Sequence, residues 1–219
     1  MLKSTPLRIL AVVVALVVLA LVAGLVFPGQ YPTEQEAELS FTLPHNFTVV
    51  RKILVRKDGA KQIITMGGDS EFVSQKWSDL GAEIDPKEIL NADWRLELDG
   101  TLTVKTLDDY IGHQQIELDQ VVVITVDELD SKVKLAKGTE RLKDYAMRTT
   151  FRRAPDEADE TLVELSLRQE IVTTAPWWAH GIADRRVKAS VEKTLANQQT
   201  AIGKFIDENK DDVPLLPLR

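Results

Sequence analysis

The stretch 160-ETLVELSLRQEIVTTAPWWAHGIADRRVKASVEKTLANQQTAIGKF-205 changes its hydrophobic period halfway along. Val163, Leu165, Leu167 and Ile171 fall on one side of a period-2 pattern, which predicts a half-buried strand. From Pro176 onward the spacing is helical. Stepped at roughly 100° per residue, Val187, Val191, Leu195, Gln198, Ile202, Phe205 and Ile206 share one arc. Arg185, Arg186, Glu192, Lys193 and Lys204 lie opposite. A helix over 176–209 is predicted, with Pro176 in its first turn. Its apolar stripe is too narrow to stand alone, so the helix must lie on a sheet. Between the two elements sit Trp177 and Trp178, half of the chain's four tryptophans. They could plug the core, wall a ligand cavity or touch a membrane. On a helix beginning at Pro176 they fall in or beside the arc of Val187 and Leu195, which favours an inward, core-plugging position.

The rest of the chain supplies the sheet. In 37-AELSFTL-43, Leu39, Phe41 and Leu43 alternate with polar residues, and Pro44 ends the strand. In 45-HNFTVVRKILVRKDGAKQII-64, Asn46 is a plausible cap and Val49, Val50, Ile53 and Leu54 form a helical face. Asp58-Gly59 interrupts it, and a second short helix follows. Residues 67–92 have no clear period; 70-SEFVSQKWSDLG-81 reads as helix or loop. From Trp94 the pattern is β. Trp94, Leu96, Leu98, Leu102 and Val104 share a parity. A tight turn at Asp99-Gly100 would mix the faces, so a three-residue loop or one long strand bulged at Gly100 fits better. Further faces are Ile116/Leu118/Val122/Ile124, Val133/Leu135 and Tyr145/Met147/Phe151. The acidic run 155-PDEADE-160 reads as a hairpin tip.

The order is β-α-α, about six antiparallel strands, then a long helix: an α+β domain with a curved sheet of about seven strands around that helix. Two stretches carry a family likeness, 39-LSFTLPHNFTVVRKIL-54 and the opening quotation. The chain resembles the START-like helix-grip fold of the SRPBCC superfamily, which includes polyketide cyclase/dehydrase and lipid-transfer types. The likeness covers most of 37–210. It implies an apolar cavity between sheet and helix and a hydrophobic or lipid-like small-molecule partner. It transfers no catalytic motif; a cyclase/dehydrase-type enzyme and a non-catalytic interaction module are the alternatives.

Ahead of the domain, 9-ILAVVVALVVLALVAGLVF-27 has no polar side chain. As a helix it would span roughly 28 Å, close to the ~30 Å hydrocarbon core. It is too long for a signal-peptide core and ends in Pro28-Gly29, not at an A-x-A site, which favours a retained anchor. Lys3 and Arg8 precede it and no Lys or Arg follows until Arg51. That bias predicts residues 1–8 in the cytoplasm and the domain beyond the cell membrane's far face. Residues 28–36 read as a polar tether, with Tyr31 suited to the interfacial aromatic belt, and 211–219 as a flexible tail.

Charge and composition narrow the chemistry. Without Lys3 and Arg8, 25 basic residues face 34 acidic ones, a balance of −9 that repels phosphate backbones; no nucleic-acid partner is expected. There is no Cys, the three His are dispersed, and no phosphate-loop or nucleophile-elbow pattern occurs, so no metal or cofactor is expected. Asp108-Asp109 and Asp211-Asp212 read as solvated. Asp184 stands out inside the apolar arc. It could favour the helix's positive N-terminal end, or it could point with His180 into the cavity mouth and orient a ligand's polar head or act as a base. The expected ligand-binding set is Trp94, Leu96, Trp177, Trp178, His180, Asp184, Val187 and Val191; no catalytic residue is assigned.

Overall fold

The computed structural model describes residues 13–19, 22, 29–78, 94–108, 110–155, 157 and 159–212. Seven strands form one antiparallel sheet: β1 (Gly29–Leu43), β2 (Ser70–Trp77), β3 (Leu96–Thr106), β4 (Gln115–Ile124), β5 (Glu128–Leu135), β6 (Leu142–Arg153) and β7 (Thr161–Ala175). Their spatial order is β1-β7-β6-β5-β4-β3-β2. Helices α1 (Phe47–Arg56) and α2 (Gly59–Gly67) link β1 to β2, and α3 (His180–Asn209) follows β7. The long helix packs on β1, β7 and α2, and α2 packs on β2.

The expected order holds, and local chemistry explains it. Asn46 caps α1, its Oδ1 accepting from the Thr48 amide at 2.8 Å. Asp58 takes a left-handed conformation (φ 50°) in the tight α1–α2 turn. A Cβ on Gly59 would come within 2.8 Å of the Leu54 carbonyl oxygen, so the turn requires glycine there. Val187, Val191, Leu195, Ile202, Phe205 and Ile206 of α3 are buried against the sheet, as the narrow stripe requires.

Several expectations change. The strand expected at 37–43 begins at Gly29, and residues 29–36, read as a tether, pair with 168–175 of β7. Pro32 is tolerated because β1 is an edge strand. The inner positions of this half are Tyr31, Thr33 and Gln35, too polar to show a hydrophobic alternation. Residues 70–77, without a clear period, are β2. A bulge between Phe72 and Ser74 flips its parity, so Phe72 before it and Gln75 and Trp77 after it face the same way. No bulge falls at Gly100: β3 pairs with β4 without interruption from Leu96 to Lys105. Glycine is needed there because a Cβ would stand 2.5 Å from the Lys76 carbonyl oxygen and 2.8 Å from the Trp77 ring. At the C-terminus Lys210–Asp212 form a 3-10 turn that continues α3, and 213–219 lie outside the described residues.

Of the apolar segment 9–27, residues 13–19 and Val22 are helical and the remainder lies outside the described residues. Among the described residues no helix is long and apolar enough to cross a membrane.

Candidate functional site: a cavity under the long helix

A cavity of about 310 Å3 lies between the sheet and the helices. Its walls come from β2 to β6 on one side and from α1, α2 and α3 on the other. The volume sits at the lower end of the ~300–1,000 Å3 typical of small-molecule sites. Leu102, Leu118, Val122, Met147 and Phe151 give it an apolar lining. The alternation that builds the strands also builds this lining, since every second side chain of β3, β4, β5 and β6 faces inward.

Into this wall the chain inserts a few neutral polar groups. Gln120, 4% exposed, accepts from Gln75 Nε2 at 2.7 Å. Gln198 of α3, Ser131 and Thr149 also line it. Tyr145 is the one phenol on the wall. Burial, reinforced by the nearby Asp69 carboxylate, pushes its pKa up to about 12, so it remains a neutral donor. Its hydroxyl meets only a weak acceptor, Met147 Sδ at 3.6 Å, and can therefore donate to a better oxygen or nitrogen. Among the described lining residues, Asp58 at the α1–α2 turn is the other ionisable group. The wall can thus orient an uncharged polar handle on an apolar body. Among the described residues no group of three or more His, Cys, Asp or Glu could hold a metal ion.

None of the residues expected to bind ligand lines this cavity. Val187 and Val191 are fully buried core residues. Trp94 and Leu96 pack on the edge of the larger core cluster. The Arg51 guanidinium lies 5.1 Å over the Trp94 ring and 5.4 Å over that of Phe47, and donates to the Thr125 and Val126 carbonyls. Trp177 and Trp178, expected to face inward, are 62% and 58% exposed. The cause is a 3-10 turn, Trp177–Ala179, that precedes α3 and breaks the assumed helical phase.

His180 and Asp184 neither face the cavity nor merely sit at a helix end. The His180 ring stacks on Tyr31, with centroids 3.7 Å apart and planes 7° from parallel. Asp184 accepts from Thr33 Oγ1 at 2.7 Å and from the Tyr31 hydroxyl at 3.2 Å. Burial first, then the hydrogen bond and charge of Asp184, raise the Tyr31 pKa above its ordinary value. The four residues clamp the start of β1 under the first turns of α3. Tyr31, assigned to an aromatic belt by position, is part of that clamp. Asp108 is likewise not simply solvated: it accepts from the Tyr110 and Ile111 amides and from the Ser190 hydroxyl.

The sequence did hold a signal for the true wall. Gln120 falls between Leu118 and Val122 on an otherwise apolar face, and Gln198 falls inside the apolar arc of α3. A buried polar residue in such a run is the informative observation.

A second depression on the outer face of β1, β5, β6 and β7 is lined by Glu38, Glu128, Arg148, Arg152 and Glu164 among others. Arg152 meets Glu164 at 2.9 Å, and Arg148 meets Asp130 at 2.8 Å. It offers no unsatisfied recognition group comparable with Tyr145.

No family model and no curated protein sequence matches the chain. Solved structures do. A protein of unknown function from Staphylococcus aureus superposes with a TM-score of 0.53 at 8% identity, over 82% of this chain and 98% of that one. A START superfamily protein from Mycobacterium smegmatis gives 0.48 at 11% identity, over 82% and 99% of the two chains. The Zhui aromatase/cyclase from a Streptomyces species gives 0.49 at 11% identity, over 80% and 95%. Identities this low speak to fold alone. With the β-α-α-β6-α order and the cavity under the last helix, the chain carries a helix-grip fold.

Proposed function

We propose that this chain is a bilayer-anchored helix-grip domain that binds a small, uncharged, mainly apolar molecule. The observation that carries the reading is the apolar cavity of about 310 Å3 with Tyr145, Gln75, Gln120 and Gln198 on its wall. Removing apolar surface from water supplies the affinity, at roughly 25 cal/mol per Å2. The neutral donors and acceptors set orientation, and a buried polar group left unpaired would penalise a ligand lacking the matching handle. A hydroxyl, carbonyl or amide on a ring system or a single chain suits the site; an anionic headgroup does not, because no basic residue is among the described lining residues.

Anchoring rests on 9-ILAVVVALVVLALVAGLVF-27, with Lys3 and Arg8 on its N-terminal side. That arrangement supports a domain on the far side of the cell membrane from the cytoplasm. Native mass spectrometry of the detergent-purified full chain tests the binding. The expected result is a co-purifying neutral adduct that raises the melting temperature when added back. A bare-chain mass, with no thermal shift across a panel of neutral apolar compounds, would sink it. Reporter fusions at the C-terminus test the topology independently: activity of a cytoplasm-only reporter there would reverse it.

A further inference from the structure

Trp177 and Trp178 lie far in sequence from the apolar segment but close in space to Gly29, where the described sheet begins. The sheet register pairs Gly29 with Ala175. Gly29 follows the segment's last residue, Phe27, by two positions, and Trp177 follows Ala175 by two. Paired strands are about 4.8 Å apart and each residue adds at most ~3.6 Å, so Trp177 stands within about 12 Å of the chain at Gly29. The exposed Trp pair is therefore at the point where the domain meets its hydrophobic segment.

The surroundings fit the same boundary. Ile182, 39% exposed, adds an apolar side chain one turn further on. Arg185 and Arg186 are exposed on the next turn. Lys137, Arg141 and Lys143, all exposed, lie in or beside the β5–β6 connection, which is at the same end of the sheet. Described acids at this end include Glu140, exposed, and Asp69, Asp108, Asp144 and Asp184, each engaged as an acceptor. The opposite end carries the β6–β7 hairpin with Glu157, Asp159 and Glu160. Trp favours the headgroup level of a bilayer, and Arg and Lys beside it favour phosphate.

We infer that Trp177 and Trp178, with Ile182, Arg185 and Arg186, form a second membrane contact that seats the domain on the phospholipid headgroup layer beside its anchor. The inference rests on the anchored reading above. The Tyr31–His180 stack and the Tyr31 and Thr33 bonds to Asp184 fix this surface relative to the start of β1, so the anchor and the Trp pair bear on one bilayer. The acidic hairpin then points into water, and the domain stands with its sheet axis away from the membrane.

The test uses the absence of Cys from the chain. Trp177→Cys and Glu157→Cys are each made in the full chain, spin-labelled and reconstituted into vesicles of phosphatidylcholine and phosphatidylglycerol. Collision with lipid-soluble oxygen is compared with collision with a water-soluble nickel chelate. The oxygen-to-nickel ratio is expected to be several-fold higher at 177 than at 157. Equal ratios in chain that resists alkaline carbonate extraction overturn the seating and leave the anchor standing. Chain that carbonate strips from the vesicles overturns the anchor, and the seating with it.

Discussion

Removing Thr33 and Asp184 together should cost little more than removing either alone. Thr33 is 3% exposed and its hydroxyl donates to Asp184 Oδ1 at 2.7 Å, joining the first half of β1 to α3. A hydrogen bond to a charged group nets about 1.5–3 kcal/mol. Asp184 is only half-buried, so solvent screening places this one near the bottom of that range, at about 1.5 kcal/mol. Thr33→Val removes the donor with little change of shape. Asp184→Ala removes the acceptor and leaves a buried hydroxyl facing only the long contact from Gln35 Nε2, at 3.4 Å. Thermal melts of the full chain in detergent micelles give the readout. At 2–4 °C per kcal/mol for a chain this size, each single variant should lose about 3–6 °C. The coupling energy in the double-mutant cycle should be about 1–1.5 kcal/mol, above the ~0.3–0.5 expected of independent sites. Losses that simply add would refute the clamp. They would mean that strand pairing alone holds β1 and that Asp184 serves only the helix terminus.

Other consequences are more local. Gly100→Ala should destabilise the domain by about 1–3 kcal/mol, read by urea titration, because the new methyl overlaps the Lys76 carbonyl. Burial alone would raise the Asp130 pKa, but hydrogen bonds from Arg148 and Lys132 outweigh it and hold the carboxyl below its ordinary 3.8. The unfolded chain then takes up the proton first, so stability should fall as pH drops through and below that value. Asp130→Asn should flatten this acid limb. Tyr145 has the opposite sign. Its folded pKa is above the ordinary 10.0, so the unfolded chain ionises first and stability should decline from pH 10 toward about 12. Tyr145→Phe should remove that decline and weaken a ligand with a polar handle by about 1 kcal/mol, roughly fivefold, in calorimetric titration.

Strands β3, β4 and β7 and helix α3 were legible because each keeps one period throughout, with inner residues such as Leu98, Leu102, Leu118 and Val122 holding their parity; β6 was legible from Tyr145 to Phe151, after the irregularity between Leu142 and Asp144. Strand β2 was not, because the bulge after Phe72 moves its inner face from even to odd positions. The first half of β1 was hidden by chemistry rather than geometry, since Tyr31, Thr33 and Gln35 occupy inner sites. They are matched there by Asp184 and His180, which no local pattern can reveal. The Trp pair was misplaced by three residues of 3-10 helix, enough to rotate both side chains off the arc of Val187. The cavity wall was present in the strand faces all along. What the sequence lacked was the curvature and helix placement that leave Leu118 and Met147 facing space while Val187 and Val191 are packed.

Titration with N-phenyl-1-naphthylamine, an uncharged apolar fluorophore, tests the ligand site most directly. The full chain in detergent micelles is compared with Ser131→Phe, which places a ring inside the cavity from β5. The account predicts one saturable site per chain, enhanced emission, and loss of that site in Ser131→Phe while the variant still melts cooperatively. Equal binding to both proteins, or no saturable site above the micelle background, would contradict a ligand-binding cavity beneath the long helix.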